Sequence, residues 1–178
     1  MNSDGLIEIP GMILLFACLL RCTQYLVQSH IKHIQAFWLA ALLVFFTVIR
    51  RELNYLPDLL VPSDFSFLNQ SYDWWEDSVL TVIYLVALGL LAYSRKYLWA
   101  VLKNVPVSLY LSAAVLAIIQ YMGENAIVFP HTWGEVVEEL SETAIYAIAL
   151  IYLWRFKLAD YESYLMQKLN YKFKHTNS

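Results

Sequence analysis

Five apolar stretches, each close to membrane-crossing length, follow one another along a chain of only 178 residues. They occupy 6–28, 34–52, 76–93, 107–130 and 136–154. Helical backbone rises 1.5 Å per residue, so about 20 residues cross a ~30 Å hydrocarbon core. A soluble core can hold one long apolar helix, but five of them in one short chain point to a lipid environment. The composition agrees, with 60% apolar and 15% charged residues. The expected fold class is all-α, an integral-membrane five-helix bundle that makes a single transmembrane domain of 1–178. The N-terminal MNSDGLIEIPGM has neither a basic region nor a small-residue cleavage site, and no removable signal peptide is expected from it.

Orientation follows from lysine and arginine, which are retained on the cytoplasmic side. Lys32, the loop SRKYLWAVLKN with Arg95, Lys96 and Lys103, and the tail 155–178 with its five basic residues fall on one side of a five-span chain. Counting Arg21 with that half, ten of the twelve basic residues are inside, and Arg50 and Arg51 are outside. The N-terminus is then outside and the C-terminus inside. The acids, which were not used to choose this orientation, segregate the other way; only Asp160 and Glu162 fall inside. The net charge of −3 is therefore the sum of a basic inner end and an acidic outer end. The outer loop 53–75 is too apolar for a linker and reads as a piece lying at the interface. The tail places tyrosines and leucines among lysines, as a helix along the inner surface would.

The fifth stretch opens with carboxylates, in HTWGEVVEELSETAIYAIALIYLWRF. At 100° per residue, Glu135, Glu138, Glu139 and Glu142 share one helix face, with Tyr146 on the same side. If Arg155 marks the inner interface, Glu142 lies about 20 Å above it, inside the hydrocarbon. An ionisable group at that depth needs a partner or a wet cavity. The third stretch repeats the pattern, since Asp73, Glu76, Asp77, Thr81 and Tyr84 share a face. Glu52 ends the second, Glu124 stands near Gln120 in the fourth, and Glu8 begins the first. So many carboxylates at one depth cannot all stay ionised and unpaired. Protons, Arg50 and Arg51, or a bound cation must neutralise them.

Oxygen ligands suit hard divalent cations, for which Glu135, Glu139, Glu142 and His131 are the candidate metal ligands. A di-iron centre would need two Glu-x-x-His pairs, and the chain has none. Acids at the starts of the third and fifth helices also favour the helix dipoles, so a purely structural network is the competing reading. Cys18 and Cys22, four apart on one helix face, read as small packing residues rather than a redox pair. No nucleophile elbow, phosphate loop, histidine-rich metal motif or dinucleotide fingerprint occurs.

The motif RRELN at 50–54, at the outer end of one helix, and EELSE at 138–142, entering another, resemble a pattern in small uncharacterised bacterial inner-membrane proteins. Asn54 stands where that pattern has an acid. The resemblance implies a multi-pass protein of a bacterial inner membrane and carries no activity with it.

The leading expectation is a binding or transport-related protein whose pocket near the outer leaflet receives a cation, which could be a metal, a proton or a cationic amphiphile. Glu52, Asp77, Glu124, Glu138, Glu139, Glu142, Arg50, Arg51, Tyr84 and Tyr146 are its expected lining. The alternatives are an envelope-integrity or assembly protein in which these charges are structural, and, third, a membrane hydrolase. Membrane lipid, a small cationic ligand and a homo-oligomer or envelope partner are the expected associations; nucleic acid is not.

Overall fold

The computed structural model describes residues 4–53, 66–67, 70–125, 127 and 131–158, without the side chains of 4–8, 66, 67, 70, 73, 131 and 132. Most of the outer loop and of the C-terminal tail lies outside these residues. Six helices are described: α1 (Asp4–Gln28), α2 (Lys32–Glu52), α3 (Tyr72–Tyr93), α4 (Arg95–Asn104), α5 (Val107–Glu124) and α6 (His131–Arg155). A two-residue antiparallel ladder, β1 (Ser66–Phe67) with β2 (Gln70–Ser71), leads into α3.

The helix ends follow local chemistry. Ser71 caps α3 by accepting the Trp74 N–H at 3.4 Å, satisfying one of the free donors of the first turn. At the other end, the Ser94 hydroxyl bonds back to the Leu90 carbonyl at 2.9 Å, and α4 starts at once. Pro106 holds Val105 extended, which ends α4 and starts α5. The segment expected as a loop, SRKYLWAVLKN, is thus almost wholly the helix α4. The expectation missed it because the segment is too short and too charged to resemble a span, yet its Tyr97 and Val101 are four apart and both buried.

Four helices are long and apolar enough to cross a membrane, over Ile9–Gln28, Lys32–Glu52, Trp74–Tyr93 and Val107–Glu124. The fifth expected span, α6, has the length but carries four glutamates in its first twelve residues and is not among them. Much of the apolar surface faces outward. Val82, Leu85 and Leu88 on α3, and Leu111, Val115 and Ile118 on α5, are all more than half exposed. Exposed apolar stripes on both outer helices are unfavourable in water and ordinary in lipid. The chain is an all-helical, multi-pass membrane protein.

The long helices pack as a row, α5–α6–α1–α2–α3, with α3 and α5 at its two edges. Sequence neighbours run antiparallel, as the His33–Tyr93 ring stack at 4.4 Å and the Arg50–Glu76 ion pair show for α2 and α3. The exception is α1 with α6, which run parallel. A Cβ on Gly11 would meet Thr143 and Tyr146, Cys18 Sγ faces the Tyr146 carbonyl, and Tyr25 reaches the Leu153 and Phe156 carbonyls.

The hydrophobic core gathers at one end of this row. Cys18, Cys22, Tyr25, Ile34, Trp38, Tyr97, Val101, Leu153 and Phe156 bring together α1, α2, α4 and the end of α6. Tyr25 lies 4.6 Å from Trp38 and 5.6 Å from Phe156, ring centre to ring centre. Its hydroxyl, 2.7 Å from the Leu153 carbonyl and 2.8 Å from that of Phe156, donates to carbonyls at the end of α6, where the Leu153 oxygen also accepts the Phe156 N–H at 3.4 Å. Both cysteines are free and fully buried in this core.

Candidate functional site

At the opposite end from this core, α2, α5 and α6 enclose a cavity of about 320 Å³ lined by Arg51, Glu52, Gln120, Glu124, Glu138, Glu139 and Glu142. Every lining residue is polar or charged.

Helix geometry decides which charges meet here. Arg50 and Arg51 are successive residues on α2 and so point about 100° apart. Arg50 turns to α3, where it pairs with Glu76 and bonds the Leu53 carbonyl at 3.3 Å. Arg51 turns to α6, where its Nη2 donates to Glu142 Oε1 at 2.9 Å and to Glu52 Oε1 at 3.1 Å. Gln120 Nε2, from α5, donates to the same Glu142 oxygen. Tyr146, one turn below Glu142, donates its hydroxyl to Glu52 Oε1 at 2.9 Å. One network therefore ties α2, α5 and α6 together.

Close backbone approach makes the α5–α6 side of it possible. A Cβ on Gly123 would lie 2.8 Å from the Gly134 carbonyl oxygen, and one on Gly134 would lie 2.6 Å from that of Gly123. Neither position admits a side chain. With both glycines the two backbones touch one turn beyond Gln120 and about two turns before Glu142, which brings those side chains within bonding distance.

Among the expected site residues, Arg51, Glu52, Glu124, Glu138, Glu139 and Glu142 line the cavity, and Tyr146 supports it through Glu52. Arg50 belongs to a separate ion pair with Glu76. Asp77 and Tyr84 are exposed on α3, which packs on the opposite side of α2 from α6. The acidic face of α3 suggests a place in the site, but its Glu76 pairs with Arg50, outside the cavity. Glu135 is exposed in the first turn of α6, and the His131 side chain lies outside the described residues. Among the described residues, no group of three or more His, Cys, Asp or Glu side chains could hold a metal ion. Gln120 is the residue the expected site left out. Its signal was present, four positions before Glu124 and on the same face, but an uncharged amide gains importance only from what faces it.

Glu142 is the deepest of these groups, its residue only 8% exposed. By contrast the side chain of Arg51 is 65% exposed. A buried carboxylate needs donors to offset its lost hydration, and here an amide and a guanidinium both donate to Oε1. Comparison with protein-family models, with curated proteins and with solved structures gives no match for this chain.

Proposed function

We propose that this chain crosses the membrane five times, N-terminus outside, and that its carboxylate cavity receives a small hydrophilic organic cation at the outer end. The parallel course of α1 and α6 supports the fifth crossing. Since α6 runs beside α1 from Gly11 and Thr143 to Tyr25 and Phe156, it traverses the same depth. The bacterial inner membrane as location rests on the likeness of RRELN and EELSE to proteins found there.

One observation carries the cation reading: five carboxylates line the cavity against a single arginine. Arg51 and Gln120 engage Glu142, and Arg51 and Tyr146 engage Glu52, so the surplus lies with Glu124 and Glu138. The cavity's size and wholly polar lining fit an ammonium or guanidinium compound better than a long-chain amphiphile. The lack of a convergent ligand triad among the described residues favours such a group over a bare divalent metal. Arg51, being exposed, acts as the internal counterion that an incoming cation replaces.

The competing reading, a structural network in an envelope-integrity or assembly protein, draws on the two donors that each of Glu52 and Glu142 receives at Oε1. Thermal unfolding of the detergent-purified protein with putrescine, agmatine, choline, Mg²⁺ and Ca²⁺ separates the two. An organic amine that raises the midpoint in wild type but not in Glu138→Gln supports the site. No response to any of the five leaves the network as structure, and a response to Mg²⁺ or Ca²⁺ alone restores the metal.

A further inference from the structure

The other end of the molecule carries a cavity of the opposite charge. It is about 490 Å³ in volume, between the start of α5 and the end of α6, and its lining includes Asn104, Ser108, Arg155 and Lys157. Among the described residues, none that line it is a carboxylate. The rest of its lining, Pro106, Leu109, Ile151, Tyr152 and Phe156, is apolar apart from the Tyr152 hydroxyl. Ile151 is about half exposed, so this wall opens onto the surface that faces lipid.

From this arrangement we infer that the cavity is a binding site for an anionic phospholipid. The phosphate is held by Arg155 and Lys157, with the Asn104 amide and the Ser108 hydroxyl as neutral partners, and the acyl chains run along Ile151 and Leu109. Each part of the cavity has a counterpart in that ligand. Two cations in the described lining favour net negative charge, and basic pockets between membrane helices are suited to acidic head groups. The apolar wall, continuous with the lipid-facing surface, offers nothing to a free phosphate ion. The setting agrees, because Lys103 ends the adjacent α4 and Trp99 of that helix is 61% exposed, with the Lys103 ammonium 5.6 Å from its ring centre. Such a pair belongs at a membrane interface. The inference is independent of the cation site, which lies at the other end of α5 and α6.

The test uses native mass spectrometry and thermal unfolding of the purified full chain with phosphatidylglycerol, phosphatidylcholine or inorganic phosphate added. Phosphatidylglycerol should bind at least about tenfold more tightly than phosphatidylcholine. Arg155→Gln with Lys157→Gln should remove that preference. Arg95→Gln with Lys96→Gln, which makes the same charge change elsewhere on the basic end, should keep it and controls for loss of folding. Equal binding of the two lipids, or equal losses in the two double variants, overturns the site. Stabilisation by inorganic phosphate as strong as that by phosphatidylglycerol overturns the lipid and leaves a soluble anion.

Discussion

Arg51 and Glu142, 91 positions apart in sequence, meet through a 2.9 Å bond between guanidinium and carboxylate. The partners differ in exposure, at 65% for the arginine side chain and 10% for the glutamate. The pair therefore joins a fixed acid to a replaceable cation, and the consequences of removing each are unequal.

Glu142→Ala strips the Gln120 amide and the Arg51 guanidinium of a shared acceptor and should destabilise the protein by about 1–3 kcal/mol. Glu142→Gln keeps an acceptor and should cost less. Arg51→Gln removes the only cation among the described residues that line the cavity. Its destabilisation should be greatest at neutral pH, where those acids are ionised, and should shrink as pH falls and protons do the same work. Its stabilisation by an added organic cation should exceed that of wild type. Thermal midpoints across pH 4 to 8 check the series; a variant deficit that grows toward acid would refute the pairing.

The Gly123–Gly134 contact sets how closely α5 and α6 approach. Gly123→Ala and Gly134→Ala each place a methyl against a backbone carbonyl, with no flexible side chain to yield. Overpacking of this kind costs about 1–3 kcal/mol. The helices should part enough to break the bond from Gln120 to Glu142, so Gln120→Ala should add little on top of Gly134→Ala. A double-mutant cycle on unfolding free energies reads this, and full additivity would show that the glycines do not position the amide.

The parallel packing of α1 and α6 predicts where the ends of each helix emerge. With Cys18 and Cys22 replaced by alanine, single cysteines at Glu135 and at Lys157, at the two ends of α6, should react with a membrane-impermeant maleimide from opposite sides of the membrane. Labelling of both from the same side would exclude the fifth crossing, leaving α6 to lie otherwise.

The class of this protein was legible in its residues, because crossing a membrane by helices demands runs of about 20 apolar residues and little else can explain so many in one chain. The acidic and basic ends could be read as well, since charge segregation is a property of linear sequence. Helix periodicity identified the acidic face of α6, and with it Glu138, Glu139 and Glu142. What only the tertiary structure decided is which faces meet. Nothing linear says that Arg50 turns to α3 and its neighbour Arg51 to α6, or that the acidic face of α3 stays outside the cavity. The reason is that a helix presents each residue at one angle, while the neighbour occupying that angle is chosen by packing contacts distant in sequence. Gln120 entered the network for the same reason, through the touching backbones of Gly123 and Gly134, and α4 became a helix rather than a loop because the core offered Tyr97 and Val101 a place to be buried.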